Sequence, residues 1–180
     1  MSINEGSEVV LIRNLKWEDF NDLISNYYSY YDELKDNPQF GIIFRNKIPS
    51  MNEEVIWFSN MYNNVCNKNT VAKVAEINGR VVGLCDVCVD RADSEKAHIG
   101  VLGITIRNGY RNKGVGYRLI SNVIDSCRGI FEVIRLGVFS TNIRAIKLYE
   151  KAGFVKYGEL PYSVKRGSEY IKEILMYLKL

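Results

Sequence analysis

At 180 residues the chain is long enough for one domain with a single substantial core. It is 47% apolar and 25% charged, which excludes a disordered polyelectrolyte. Lys plus Arg outnumber Asp plus Glu by only 24 to 21, without a long basic run, so no nucleic-acid partner is expected.

The opening "MSINEGSEVV" has no basic region leading into an apolar stretch, so no secretory signal is expected. No apolar run approaches the length of a membrane span, and a soluble, cytoplasmic, single-domain protein over 1–180 is the expectation. "EVVLIRNL" alternates as a first strand, and the pattern turns helical from Trp17 to about Asn37. Within that helix "SNYYSYYDEL" concentrates tyrosines, with Tyr27 and Tyr31 at helical spacing on one face. "SMNE", Ser50 to Glu53, has the spacing of a capping box that opens a second helix.

"TVAKVAEINGRVVGLCDVCV" is two β-rich runs joined by Asn78-Gly79, a two-residue hairpin signal. Its "CDVC" has CxxC spacing, but residues three apart on a strand point to opposite faces. With no second CxxC and one histidine, no metal site is expected; Cys66, Cys85, Cys88 and Cys127 read as buried, reduced thiols. "HIGVLGITI" is then a central strand rich in β-branched residues.

After it comes "TIRNGYRNKGVGYRLI", which crosses a basic turn into a helix marked by Leu119, Ile120, Val123, Ile124 and Cys127. Gly129 is its expected stop. A strand, "VIRLGVFS", precedes a short helix in "TNIRAIKLYEKAGF", with Thr141 or Asn142 as N-cap and Gly153 at its end. Two more strands surround "VKRGSEY". The order is one strand, two helices, three strands, helix, strand, helix, two strands: a mixed α/β domain with a mostly antiparallel sheet.

Glycines at 114 and 116 are costly in a helix start unless backbone angles or space demand them. A strand-to-helix turn presents unpaired N–H groups and the positive end of a dipole, where phosphates bind. The segment lacks the GxxxxGK(S/T) spacing of a Walker A loop, and it fails as a dinucleotide fingerprint because "GVGYRL" has leucine where the third glycine belongs. The bland alternative is a tight turn with a solvated basic surface.

"YRNKGVGYRLI" with "NIRAIKLYEKAGF" resembles the GNAT superfamily of acyl-CoA-dependent N-acyltransferases. Arg111, Gly114 and Gly116 match its R/Q-x-x-G-x-G/A loop. Asn142, Ala145, Tyr149, Gly153 and Phe154 match its N-x-x-A-x-x-x-Y-x-x-x-G-F helix. The likeness runs from about Glu8 to Leu180, and the second half is similar to members that acetylate free amino acids or other small amines. It implies a GNAT fold of about seven strands and four helices, with a splayed central parallel pair.

The resemblance also implies acetyl-CoA as co-substrate and direct transfer to a small-molecule or peptide amine. Backbone groups of Ile104, Thr105 and Ile106 are then expected to meet the pantetheine arm. Arg111, Asn112, Lys113, Gly114, Val115 and Gly116 would hold the pyrophosphate. Asn142 would cap its helix, bond the arm, or both, and Tyr149 would protonate the leaving thiolate. His98, which resembles a histidine at this position in small-amine acetyltransferases, is a candidate base with a purely structural reading beside it, and Glu76, acting through a water, is a second candidate. A non-catalytic acyl-CoA-binding module, an unrelated adenine-nucleotide binder and a homodimer are further possibilities.

Overall fold

A computed structural model describes residues 9–37 and 40–180. Glu8, where the first strand was expected to begin, lies outside the described residues, as does most of the opening segment read for a secretory signal. The described elements follow the expected order: β1 Val10–Asn14, α1 Phe20–Asp36, α2 Met51–Cys66, β2 Thr70–Ile77, β3 Arg80–Val89 and β4 Ile99–Ile106. Then come α3 Val115–Cys127, β5 Val133–Phe139, α4 Ile143–Lys151, β6 Val155–Arg166 and β7 Glu169–Lys179. A single 3-10 turn, Trp17–Asp19, leads into α1.

The strands form one sheet in the order β1-β2-β3-β4-β5-β7-β6. Every neighbouring pair is antiparallel except β4 and β5. Local chemistry sets the elements. Asn78 and Gly79 take positive φ of 51° and 74°, the mirror-image turn that matches strand twist in a two-residue hairpin. Ser50 and Glu53 close the capping box: Ser50 Oγ accepts from the Glu53 N–H, and the Ser50 N–H donates to Glu53 Oε2 at 2.8 Å.

The sheet is covered on both faces. On one, α3 buries Leu119, Ile120, Val123, Ile124 and Cys127 against Ala75, Cys85, Val87, Leu102, Ile134 and Leu136. On the other, Leu23 of α1 and Phe58 and Met61 of α2 pack on Ala72, Val74 and Leu84. Alternation along β3 separates the faces, so Cys85 points to α3 while Leu84 points to α2. Fully burying side chains of this size is worth about 1.5–3 kcal/mol each, which is why both helical layers hold to the sheet.

The four cysteines are free thiols, but only Cys85 and Cys127 are buried. Cys66 is exposed, contrary to expectation, because it ends α2 on the side away from the sheet. The tyrosine cluster packs chiefly on the α1–α2 linker rather than on the sheet. Tyr27 and Tyr31 share a face, their hydroxyls 3.2 Å apart, and both rings contact Phe44. No described helix is long and apolar enough to cross a membrane.

Candidate functional site

Parallel pairing of β4 with β5 is short. It runs through Ile99–Val133, Gly100–Ile134 and Val101–Arg135 and then stops. β4 keeps its antiparallel partner on the other side through Cys85–Ile104, Leu84–Thr105 and Gly83–Ile106. From Leu102 to Ile106 the strand therefore has one paired edge and one edge facing a cleft. Such an edge carries main-chain donors and acceptors that need partners.

The cleft opens toward the start of α3. Gly114 is the N-cap residue, with φ 79°, and Gly109 and Asn112 also have positive φ, 84° and 64°. A left-handed backbone at Gly114 explains the glycine there, since L side chains pay about 1–2 kcal/mol in this region. Gly116 is different: the demand there is for space, and the protein itself fills it. A Cβ on Gly116 would lie 3.0 Å from Leu148 Cδ2 and 3.3 Å from Ile106 Cδ1. Its missing side chain lets α3 sit close to α4 and β4. The N–H groups of the first turn have no acceptor within the helix and face outward with its positive dipole end.

Arg111 is turned inward. Its guanidinium makes a two-pronged ion pair with Glu33 of α1, one contact being Nη2 to Oε2 at 2.9 Å. It lies 4.8 Å from the Phe40 ring centroid, and its Nε donates to the Ile106 carbonyl at 2.7 Å. The Ile106 carbonyl, expected to await a pantetheine amide, is thus already occupied. Lys113 holds its ammonium 5.5 Å from the centroid of the Tyr110 ring.

Tyr149 projects from α4 into the interior, 7% exposed, with its ring 5.9 Å from that of Phe154. Burial, with a smaller contribution from the nearby Cys85, raises its phenol above the ordinary tyrosine range, so it holds its proton tightly. Because Cys85 pairs with Ile104, the phenol is brought to the level at which β4 borders the cleft. Asn142, not Thr141, is the N-cap of α4: its Oδ1 accepts from the Ala145 N–H at 3.2 Å. Its Nδ2 crowds Gly41, where a Cβ would come within 2.4 Å.

The structure does not bring the two expected bases to this cleft. His98 precedes β4 at the end where β4 and β5 are still paired, is exposed, and its carbonyl accepts from the Glu132 N–H at 2.9 Å. Glu76 lies two strands from β5's partner, on β2, and accepts from Arg13 Nε at 2.7 Å in a cluster with Asp19. Among the described residues no group of His, Cys, Asp and Glu is placed to hold a metal.

One carboxylate passed over in the sequence stands beside the parting strands. Asp86 on β3 pairs with Gly103 on β4 and, with Cys88, floors a cavity of about 500 Å³ beneath α2. Arg45, Glu53, Trp57 and Asn60 are among the residues that line it. Burial pushes the Asp86 carboxyl up to about 6, against the opposing pull of a hydrogen bond from Cys88 Sγ at 3.2 Å. Its signal in the sequence is a lone carboxylate in an otherwise apolar strand, "VVGLCDVCV".

A sheet that opens between two parallel strands above a glycine-started helix defines a class of fold that admits a slender ligand edge-on. The chain belongs to the Acetyltransferase (GNAT) family, whose profile matches residues 12–154. It is 33% identical over 105 residues to the L-amino acid N-acetyltransferase AaaT of Escherichia coli (strain K12). That match covers 57% of this chain and 64% of the relative, less than two thirds of its length. The ribosomal-protein-alanine N-acetyltransferase from Brucella melitensis has the same fold, with a TM-score of 0.81 at 22% identity over 94% of this chain and 99% of that one. So does the phosphinothricin acetyltransferase (Pat) from Sinorhizobium meliloti in complex with AcCoA, with a TM-score of 0.80 at 19% identity over 95% and 88% of the two chains.

Proposed function

We propose that the protein is an N-acetyltransferase that moves the acetyl group of acetyl-CoA directly to the primary amine of a free amino acid or comparably small acceptor. The observation that carries this reading is the parting of β4 from β5 after Val101 and Arg135, with the start of α3 beyond it. The acceptor class is supported by the name of the E. coli relative, and the co-substrate by the solved Pat complex with AcCoA.

The residues present fit acetyl-CoA. The open edge of Leu102–Ile106 offers amide partners to an extended pantetheine arm, with the Ile106 carbonyl withdrawn by Arg111. The first-turn amides of α3, led by Gly114, Val115 and Gly116, attract a diphosphate through hydrogen bonding and dipole. Arg111 acts here through position: by fixing the turn to Glu33 and Ile106 it presets those amides. Asn112, with its positive φ, and Lys113 belong to the same turn.

When bound, the co-substrate supplies an activated acetyl thioester. Tyr149 holds a proton inside the cleft for the departing sulfur, and burial ensures that the phenol is protonated when needed. Asn142 caps α4 and so sets the depth at which Tyr149 projects. Main-chain donors on β4 polarise the carbonyl as charge develops on its oxygen.

The test is a screen that follows CoA release over amino acids, polyamines, aminoglycosides and peptides, repeated with Tyr149→Phe on the best acceptor. The variant is expected to lose about 100-fold or more in kcat. Its stabilisation by acetyl-CoA in thermal melts should match that of the native protein. Undiminished turnover by Tyr149→Phe would remove the phenol from the mechanism. No CoA release with any amine would sink the transferase reading.

A further inference from the structure

An ammonium group has no lone pair, so amine acetylation needs a base on the acceptor's side of the cleft. Two glycines show which side that is. Gly103 on β4 and Gly137 on β5 each lie two positions beyond the last paired couple, Val101 and Arg135. Matching positions on parallel strands share a face. Asp86, directly opposite Gly103, lines the cavity under α2, so the glycines open toward that helix and away from α3. Both are exposed although their strands stand fourth and fifth in a seven-stranded sheet. Side chains are omitted there on both walls, and the window so formed, open at Gly103 and bordered by the Glu173 carboxylate at Gly137, joins the cleft to the face bearing the cavity.

A carboxylate stands beside each glycine. Asp86 Oδ1 lies 3.5 Å from where a Gly103 Cβ would be, and Glu173 Oε1 on β7 lies 2.7 Å from the corresponding point on Gly137. Their surroundings differ. Glu173 accepts a short hydrogen bond from Ser163 Oγ. Asp86 takes its bond, from Cys88 Sγ, on Oδ2, while Oδ1 faces the window.

We infer that Asp86 is the catalytic base, accepting a proton from the acceptor's ammonium at the Gly103–Gly137 window, and that the cavity between α2 and β3 is the acceptor's way in. The inference rests on the acetyl-transfer reading above. The protons balance as follows. Asp86 takes one proton from R–NH3+; the freed lone pair forms the N–C bond and the C–S bond breaks. The sulfur leaves with the bonding pair and receives the Tyr149 proton. The phenoxide is restored by the second proton shed from nitrogen, and Asp86 returns its own to solvent through the cavity. The net products are an amide, a thiol and one proton.

The surroundings suit a base at neutral pH. Besides Asp86, β3 carries Cys88, Cys85 on the opposite face, and Arg80 at its far end, outside the cavity lining; across the cavity stand Arg45 and Glu53. β2 presents Ala72 and Thr70 and β4 presents Gly103, none of them charged. Arg45 lies 4.0 Å from Glu53, so the arginine that lines the cavity among the described residues has its own carboxylate neighbour. With burial dominant, the carboxyl is ionised just below neutrality yet basic enough to accept a proton.

Two measurements test the assignment. In carbon-13 spectra of aspartate-labelled native protein, the Asp86 carboxyl, identified by its loss in Asp86→Asn, should titrate near pH 6; a midpoint near the ordinary value of about 4 would overturn the proposal. In kinetics with the best acceptor from the screen, log(kcat/KM) should rise through about pH 6, and Asp86→Asn should lose about 100-fold or more together with that limb. Its acetyl-CoA-induced shift in melting temperature should be retained. Native-like turnover by Asp86→Asn overturns the base alone, as does loss of the limb in His98→Ala or Glu173→Gln instead. Failure of acetyl-CoA to stabilise the native protein overturns the transferase reading, and this one with it.

Discussion

Gly114 and Gly116 stand two residues apart and are required for unlike reasons. At Gly114 the demand is on the backbone: φ is 79° and nothing lies within 4 Å of a would-be Cβ. Gly114→Ala should therefore cost about 1 kcal/mol through strain, without a clash. By tilting the first-turn amides it should also weaken acetyl-CoA binding, read as a smaller thermal shift than the native protein shows. At Gly116 the demand is on space, and it comes from Leu148 and Ile106 of the protein itself. The sequence marks both positions alike. It records that a side chain is missing but not what fills the gap, because Leu148 lies 32 positions away and its approach depends on how α4 returns to the sheet.

Helix α4 links the cofactor cleft to the α1–α2 linker through one residue. Asn142 caps the helix with Oδ1 while its amide nitrogen presses on Gly41. Asn142→Ala should lose about 1 kcal/mol of stability with the cap. It should also lower kcat more than acetyl-CoA affinity, since Tyr149 projects from the same short helix; melts and steady-state kinetics separate the two. Elements of this kind were legible beforehand, because capping boxes, Asn-Gly hairpins and helical periods are written in residues close along the chain. The second-half motifs were legible through the family pattern for the same reason. Contacts between elements were not. Arg111 meets Glu33 from 78 residues away, and Asp86 meets Gly103 only because β3 and β4 fall into a particular register. His98 stands where the family resemblance offers a histidine and Glu76 near the end of a hairpin strand, yet a strand's two ends are one chemical environment in sequence and two in space.

Over the whole molecule, Asp86 makes stability depend on pH. Its folded value, about 6, lies above the ordinary 3.8, so the fold favours the protonated carboxyl. That contribution is full below about pH 4 and is lost as pH rises through about 6, a loss of order 3 kcal/mol at about 1.4 kcal/mol per unit. Denaturant titrations at pH 5 and pH 8 should show the native protein weaker at the higher pH and Asp86→Asn much less affected. The inactive variant should then be the sturdier one at pH 8, the expected trade between function and stability. At the same scale Arg166, near the end of β6, donates to the carbonyls of Phe40 and Ile42 at 2.9 and 2.8 Å, tying late chain to early chain. Sheet order extends that dependence. β5 takes its outer partner from β7, which follows every other described element, whereas β6 pairs with β7 alone. A nascent chain that has reached only Arg166 thus has β5 as a bare edge with no second neighbour. One wall of the cleft is finished only by the last of the described elements, so a chain synthesised no further than Arg166 has no competent groove in which to trap coenzyme.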